Sequence, residues 1–123
     1  MLALVVDDSR VMRSILTRLM GNLGFDVAQA GDGAQAMEVL DAGARPDVIL
    51  VDWNMPVMDG LTFIKTVRAR EDLRDISLMM VTTESEQGNI VRALAAGAHE
   101  YVVKPFTDDV IADKLTLLGL VPA

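Results

Sequence analysis

Short apolar runs alternate along this chain with longer stretches in which apolar residues recur every three or four positions. Leu2 to Val6 is a continuous apolar run, and Val11, Met12, Ile15, Leu16, Leu19 and Leu23 follow at helical spacing up to Gly24. The first segment reads as a strand and the second as a helix capped at its C-terminus by glycine. Asp26 to Ala30 predicts a short second strand, and Gly31-Asp32-Gly33 turns into a helix of about residues 34–42 with Ala36, Met37, Val39 and Leu40 inward. Val48 to Val51 predicts a third strand, and Gly60 opens a third helix with Leu61, Ile64 and Val67 on one face. Leu78 to Val81 is a fourth strand; Ile90, Val91, Leu94 and Ala95 line a fourth helix that Gly97 ends. Tyr101 to Val103 is a fifth strand, and Val110, Ile111, Leu115 and Leu118 line a last helix. Val121-Pro122-Ala123 reads as a short tail.

Strands alternating with helices through short connections predict an α/β fold with a parallel sheet. The strands read as unbroken apolar runs, as strands covered on both faces do. Right-handed crossovers then favour a doubly wound five-stranded sheet in the flavodoxin-like order 2-1-3-4-5, with helices on both faces. The length, 123 residues, suits one domain spanning residues 1–123, with no separate output domain.

Composition narrows the function. The formal charge of −7 and the lack of a Lys/Arg cluster argue against a nucleic-acid partner. No apolar run approaches the roughly 20 residues of a membrane span, and no signal peptide is evident. There is no cysteine, hence no disulfide or thiol chemistry. A cytoplasmic monomer is expected.

Ligands of such sheets bind at the carboxyl ends of the strands. There the sequence places Asp7 and Asp8 after the first strand, Asp52 after the third, Thr82 and Thr83 after the fourth, and Lys104 after the fifth. Packing does not ask a buried strand to end on a carboxylate. Three carboxylates at one sheet end raise each other's pKa or demand a cation, and an oxygen-rich site of this kind suits Mg²⁺. An Asp beside a divalent cation and a Lys can attack phosphorus, with both cations neutralising the phosphoryl oxygens. Asp52 is therefore read as a phosphoacceptor. Each residue alone has a plainer reading: Asp7-Asp8 or Ser9 as a helix N-cap, Asp52 as a turn residue, Lys104-Pro105 as an ordinary loop. Their concurrence at one end of successive strands carries the argument.

Asp7-Asp8, Asp52 with Trp53-Asn54-Met55-Pro56-Val57-Met58-Asp59-Gly60, Thr82, and Tyr101-Val102-Val103-Lys104-Pro105-Phe106 resemble the receiver domain of two-component response regulators. The resemblance covers essentially the whole chain. DWNMPVMDG, MMVTTE, AGAHEYVVKPF and the closing helix are most similar to the family's single-domain chemotaxis regulators. The resemblance implies an aspartyl-phosphate switch, with Mg²⁺ held by Asp8, Asp52 and the backbone carbonyl of Asn54, and Asp7 acting through water. It implies that Lys104 binds the phosphoryl group, that Lys104-Pro105 is cis, and that Thr82 turns toward the phosphoryl oxygens while Tyr101 moves from exposed to inward. Gln87, Ile90, Tyr101 and Lys114 would form the partner face on the fourth helix, fifth strand and fifth helix. Asn54, Thr83 and Glu84 would tune phosphate lifetime.

The implied partners are a histidine kinase of the chemotaxis type, the flagellar motor switch, and a phosphatase. A phosphate sink or phosphorelay receiver is the alternative within the family. Thr83 departs from the small residue usual there in chemotaxis regulators, and Ser9 from a bulkier one. His99 lacks Asp or Cys companions and reads as a surface residue. A different class, the aspartate-nucleophile phosphatases, needs a second Asp two residues after the nucleophile, where this chain has Asn54. A flavin module would set three carboxylates against its phosphate.

Overall fold

The computed structural model of the protein describes residues 1–120; the tail expected at Val121-Pro122-Ala123 lies outside the described residues. The elements run β1 (Leu2–Val6), α1 (Arg10–Asn22), β2 (Asp26–Ala30), α2 (Gly33–Asp41), β3 (Val48–Val51), α3 (Gly60–Arg68), a 3-10 turn (Glu71–Leu73), β4 (Ser77–Thr82), α4 (Gln87–Ala96), β5 (Glu100–Val103) and α5 (Asp108–Leu117). All pairings are parallel and the strand order is β2-β1-β3-β4-β5, as expected. No helix among the described residues is long and apolar enough to cross a membrane.

Side chains alternate along each strand between two cores. Leu4, Val6, Ile49, Val51, Leu78 and Met80 pack with Ala36, Leu40, Phe63, Ile64, Val67 and Ala93, on the side covered by α2, α3 and α4. Ala3, Val5, Val48, Leu50, Met79, Val81 and Val102 pack with Leu16, Leu19, Met20, Ile111 and Leu115, on the side covered by α1 and α5. Every residue of β3 is fully buried, which is why that strand carries no polar residue before Asp52. The edge strands are less covered: Asp26 and Gln29 of β2 and Val103 of β5 are exposed.

Helix termini follow the local chemistry. Ser9 caps α1 by accepting from the Met12 amide, Asp32 caps α2 through the Gln35 amide, and Asp59 caps α3 through the Thr62 amide. Gly24 follows α1 at φ +98°, the left-handed position that ends a helix. Several helix faces differ from expectation. Val91 and Leu94 of α4 are exposed and Ala93 is the buried residue; Val11 and Ile15 of α1 and Val110 of α5 also face outward. These helices carry apolar residues on more than one face, and on α4 it is the small Ala93 that meets the core.

Beyond the expected surface role, His99 closes the start of β4. Its Nδ1 accepts from the Leu78 amide at 3.1 Å and lies 3.1 Å from Arg68 Nη2. Arg68 also donates to the carbonyls of Gly97 and Arg74, each at 3.0 Å. A Cβ on Gly97 would fall 2.4 Å from Arg68 Cγ, and Gly97 has φ +124°, so only glycine suits this turn.

His99 has its pKa lowered, first by burial and then by the Arg68 charge, against a smaller opposing effect of Glu100. The unfolded chain therefore takes up this proton first as pH falls. The His99 contribution to stability is fully present above about pH 6.5 and declines below it toward the lower folded pKa. Urea midpoints should fall over that window, and His99→Gln, which keeps an acceptor but does not titrate, should flatten that part of the profile. An unchanged slope in the variant would remove His99 as its source.

Candidate functional site

The sheet register brings the expected residues to one end. Val6 pairs with Val51, so Asp7 and Asp52 leave adjacent strands at the same level. The Asp52 amide donates to the Val6 carbonyl at 3.0 Å, and the Lys104 amide donates to the Thr82 carbonyl at 2.8 Å. Backbone ladders thus continue one residue past the strands and hold the bases of these side chains.

One carboxylate oxygen from each of Asp7, Asp8 and Asp52 lies within 4.8 Å of the others. Asp7 and Asp52 are buried, whereas Asp8 is exposed. Lys104 Nζ stands 2.9 Å from Asp7 Oδ2 and 3.3 Å from Asp52 Oδ2. Asp7 Oδ1 accepts from the Ser9 amide at 2.9 Å, and Arg13 Nη1 donates to the Asp7 carbonyl at 2.6 Å. Both oxygens of Asp7 are thereby engaged. Asp52 Oδ1, by contrast, is buried without a hydrogen-bond partner among the described residues. Leaving a buried acceptor unsatisfied costs about 1–3 kcal/mol or more. An orphaned carboxylate oxygen beside two further carboxylates fits a hard divalent cation with oxygen ligands.

The loop after β3 is built tightly against this cluster. The Met58 amide donates to the Pro56 carbonyl at 2.7 Å, closing a three-residue turn around Val57. Val57 has φ +69° and is 86 % exposed; for a β-branched residue that conformation costs on the order of 1–2 kcal/mol. The turn docks through Met58, whose carbonyl accepts from the Gly33 amide at 3.3 Å. At Gly60 an added Cβ would lie 2.1 Å from the Asp52 carbonyl oxygen and 2.9 Å from Trp53 Cα.

Thr82 is fully buried, and its Oγ1 accepts from the Glu84 amide at 3.3 Å. Tyr101 Oη donates to the Glu84 carbonyl at 2.7 Å. Tyr101, expected to move from exposed to inward, is half-buried here against the α2–α4 side of the core, with its hydroxyl on the Glu84 carbonyl. Burial, with the Glu84 and Asp52 charges, pushes the phenol pKa up to about 12. The Glu84 side chain accepts from the Glu86 amide and Asn89 Nδ2, steadying the entry to α4. Asn54, Thr83 and Gln87 are exposed and Ile90 is half-buried. Lys114 of α5 meets Glu100 Oε2 of β5 at 3.1 Å. The Lys104-Pro105 peptide is cis, as the resemblance implied.

Sequence reasoning missed Arg13, the Gly60 contact and the Glu84 backbone as the meeting point of Thr82 and Tyr101. An arginine five residues after an acidic pair is a signal only once α1 is known to bring it back over β1. The Gly60 requirement was legible as a glycine close after the acceptor, but the clash is set by loop geometry.

The family model for the response regulator receiver domain matches residues 3–116. The chain belongs to this family. It is 45% identical over 116 residues to the chemotaxis protein CheY1 of Helicobacter pylori strain J99, covering 94% of each chain. Among solved structures it is similar to CheY4 of Vibrio cholerae, with a TM-score of 0.87 and 34% identity over 94% of this chain and 96% of that one. It is also similar to the receiver domain of the sensor histidine kinase PA1611 from Pseudomonas aeruginosa, whose structure has a magnesium ion coordinated in the active-site cleft. That match has a TM-score of 0.85 and 30% identity, and covers 94% of each chain. The protein is a CheY-type receiver, a signalling module of two-component systems, and its acidic cluster fits Mg²⁺.

Gly60→Ala separates helix propensity from packing at this receiver site. Propensity alone favours Ala in a helix by up to about 1 kcal/mol. The contact with the Asp52 carbonyl is backbone against Cβ and cannot be relieved by a rotamer change. The variant should lose about 1–3 kcal/mol in urea unfolding and shift the emission of Trp53. Equal or greater stability would show that the loop yields freely.

Proposed function

We propose that this receiver takes a phosphoryl group from a histidine kinase onto Asp52 and changes its α4–β5–α5 face to bind a partner in the cytoplasm. The observation that carries the reading is the buried, unpartnered Asp52 Oδ1 beside Lys104 and the Asp7–Asp8 pair. Asp8, Asp52 and the Asn54 carbonyl would hold Mg²⁺, and Asp7, whose oxygens are already engaged, would contribute through water. When bound, the cation neutralises phosphoryl oxygens as a Lewis acid.

The chain's own residues supply the rest. A carboxylate oxygen of Asp52 forms the new bond to phosphorus while the bond to the kinase imidazole nitrogen breaks, its electron pair leaving with that nitrogen. The Lys104 ammonium, shared between Asp7 and Asp52, neutralises charge on the transferred group as a compact donor. Thr82 Oγ1 accepts from the Glu84 amide, which leaves its hydroxyl proton to donate to a phosphoryl oxygen. Reorienting Thr82 alters the same Glu84 segment that Tyr101 grips, and so reaches the face bearing Gln87, Ile90, Tyr101 and Lys114. Such a two-state element is biased by the phosphoryl group. The sequence similarity to chemotaxis proteins supports a chemotaxis kinase as donor and the flagellar motor switch as partner. Asn54 cannot replace the acid of an aspartate-nucleophile phosphatase.

With Mg²⁺ and a small acyl phosphate, intact-mass measurement should find one acid-labile phosphoryl adduct, and Asp52→Asn should abolish it. The same adduct on the variant would overturn the assignment.

Thr83 is exposed next to Thr82, and we place it beside the approach of the hydrolytic water. Its stiff β-branched side chain hinders that water. Thr83→Ala should shorten the phosphate lifetime a few-fold, roughly 1 kcal/mol or less on the barrier, as followed by phosphate-affinity gel. Slower decay in Thr83→Ala would instead assign Thr83 to positioning the water.

A further inference from the structure

A cleft of about 270 Å³ opens between α3 and α4, away from β5 and α5, lined by Leu61, Lys65, Arg92, Ala95 and Ala96. Its floor is apolar: Leu61 is buried, and Ala95 and Ala96 present only small side chains beside it. Its rim is cationic. Neither Lys65 nor Arg92 has a carboxylate partner among the described residues, although the chain carries 18 acidic residues against 11 basic ones. Arg92 donates to Asn89 Oδ1 at 3.2 Å and sits 6.0 Å from the centroid of the Trp53 ring.

We propose that this α3–α4 cleft docks an acidic amphipathic helix of a partner protein. One apolar side chain of that helix fills the space over Leu61, Ala95 and Ala96, and its carboxylates meet Lys65 and Arg92. Charge complementarity selects the occupant, since two unpaired cations rim an apolar floor on a protein of net charge −7. At the rim of this cleft the carboxylates of an acidic segment meet two cations that no carboxylate of the described residues occupies. Apolar anchors at i and i+4 reading a hydrophobic groove are a recurrent mode of helix recognition. The occupant draws the Arg92 guanidinium from the Trp53 face, so binding registers one residue from the phosphoacceptor.

The probe is a short helical peptide carrying Leu and Glu on one face, with a Glu→Gln counterpart, titrated into the full chain without phosphodonor. Trp53 fluorescence and amide chemical shifts report binding. The acidic peptide should bind, with shifts on α3 and α4, and the Gln peptide should bind more weakly. Lys65→Glu with Arg92→Glu should weaken the acidic peptide about tenfold, as two surface ion pairs allow, while circular dichroism and phosphorylation of Asp52 stay unchanged. Lys65→Gln with Arg92→Gln gives an intermediate loss and serves where charge reversal disturbs the fold. No binding, equal binding of both peptides, equal affinity for the variants, or shifts confined to α5 and β5 would each overturn the proposal. None of these outcomes bears on whether Asp52 accepts phosphate.

Discussion

Three carboxylates drawn within 4.8 Å of one another repel, and a single ammonium group stands against them. Near a protein surface each close pair of like charges costs on the order of a few kcal/mol. Lys104 offsets this only because β5, parallel to β1 and β3, brings it to the same end of the sheet, from which its side chain reaches Asp7 and Asp52. No two of the contributing strand ends are neighbours in sequence. The site therefore exists only when the whole sheet does, and the two apolar cores supply the free energy that holds these charges together. Burial of all four β3 residues fixes the level at which Asp52 emerges.

Around that centre the structure spends its backbone groups with little slack. The amide of Glu84 is satisfied by Thr82 and its carbonyl by Tyr101, so one residue stands between these two side chains. Rotating Thr82 takes away the amide's acceptor and obliges the segment leading into α4 to find another. Coupling of this kind needs no large displacement. It needs a hydrogen bond that cannot be made in two places at once. Arg13 and Ser9 hold Asp7 from its backbone and side chain, which leaves Asp52 as the buried carboxylate of the cluster with unspent acceptor capacity.

Strand number, order and the carboxyl-end location of Asp7, Asp52, Thr82 and Lys104 were readable from the sequence, because unbroken apolar runs and short connections leave few topologies. The residue types at the strand ends then carried their own chemistry. Helix orientation was less legible. On α4 the larger Val91 and Leu94 drew the inward reading, while close packing selects Ala93. The state of Tyr101 was not legible at all, since its partner is a backbone carbonyl 17 residues away. His99 shows the same limit: its acceptor role depends on the Leu78 amide and on Arg68, neither of which is a neighbour in sequence.

The central place of β1 has a consequence for how the molecule comes into being. Leu2–Val6 needs both Asp26–Ala30 and Val48–Val51 beside it, and both lie later in the chain. At ribosomal speeds the second partner emerges on the order of seconds after the first strand. Through that interval an uncharged apolar segment with an open edge waits in the company of other nascent chains, the situation in which strands pair wrongly. The two aspartates that directly follow it carry charge to its end throughout, which opposes stacking of like segments. Residues clustered at the sheet end of the finished protein thus also guard its least finished form.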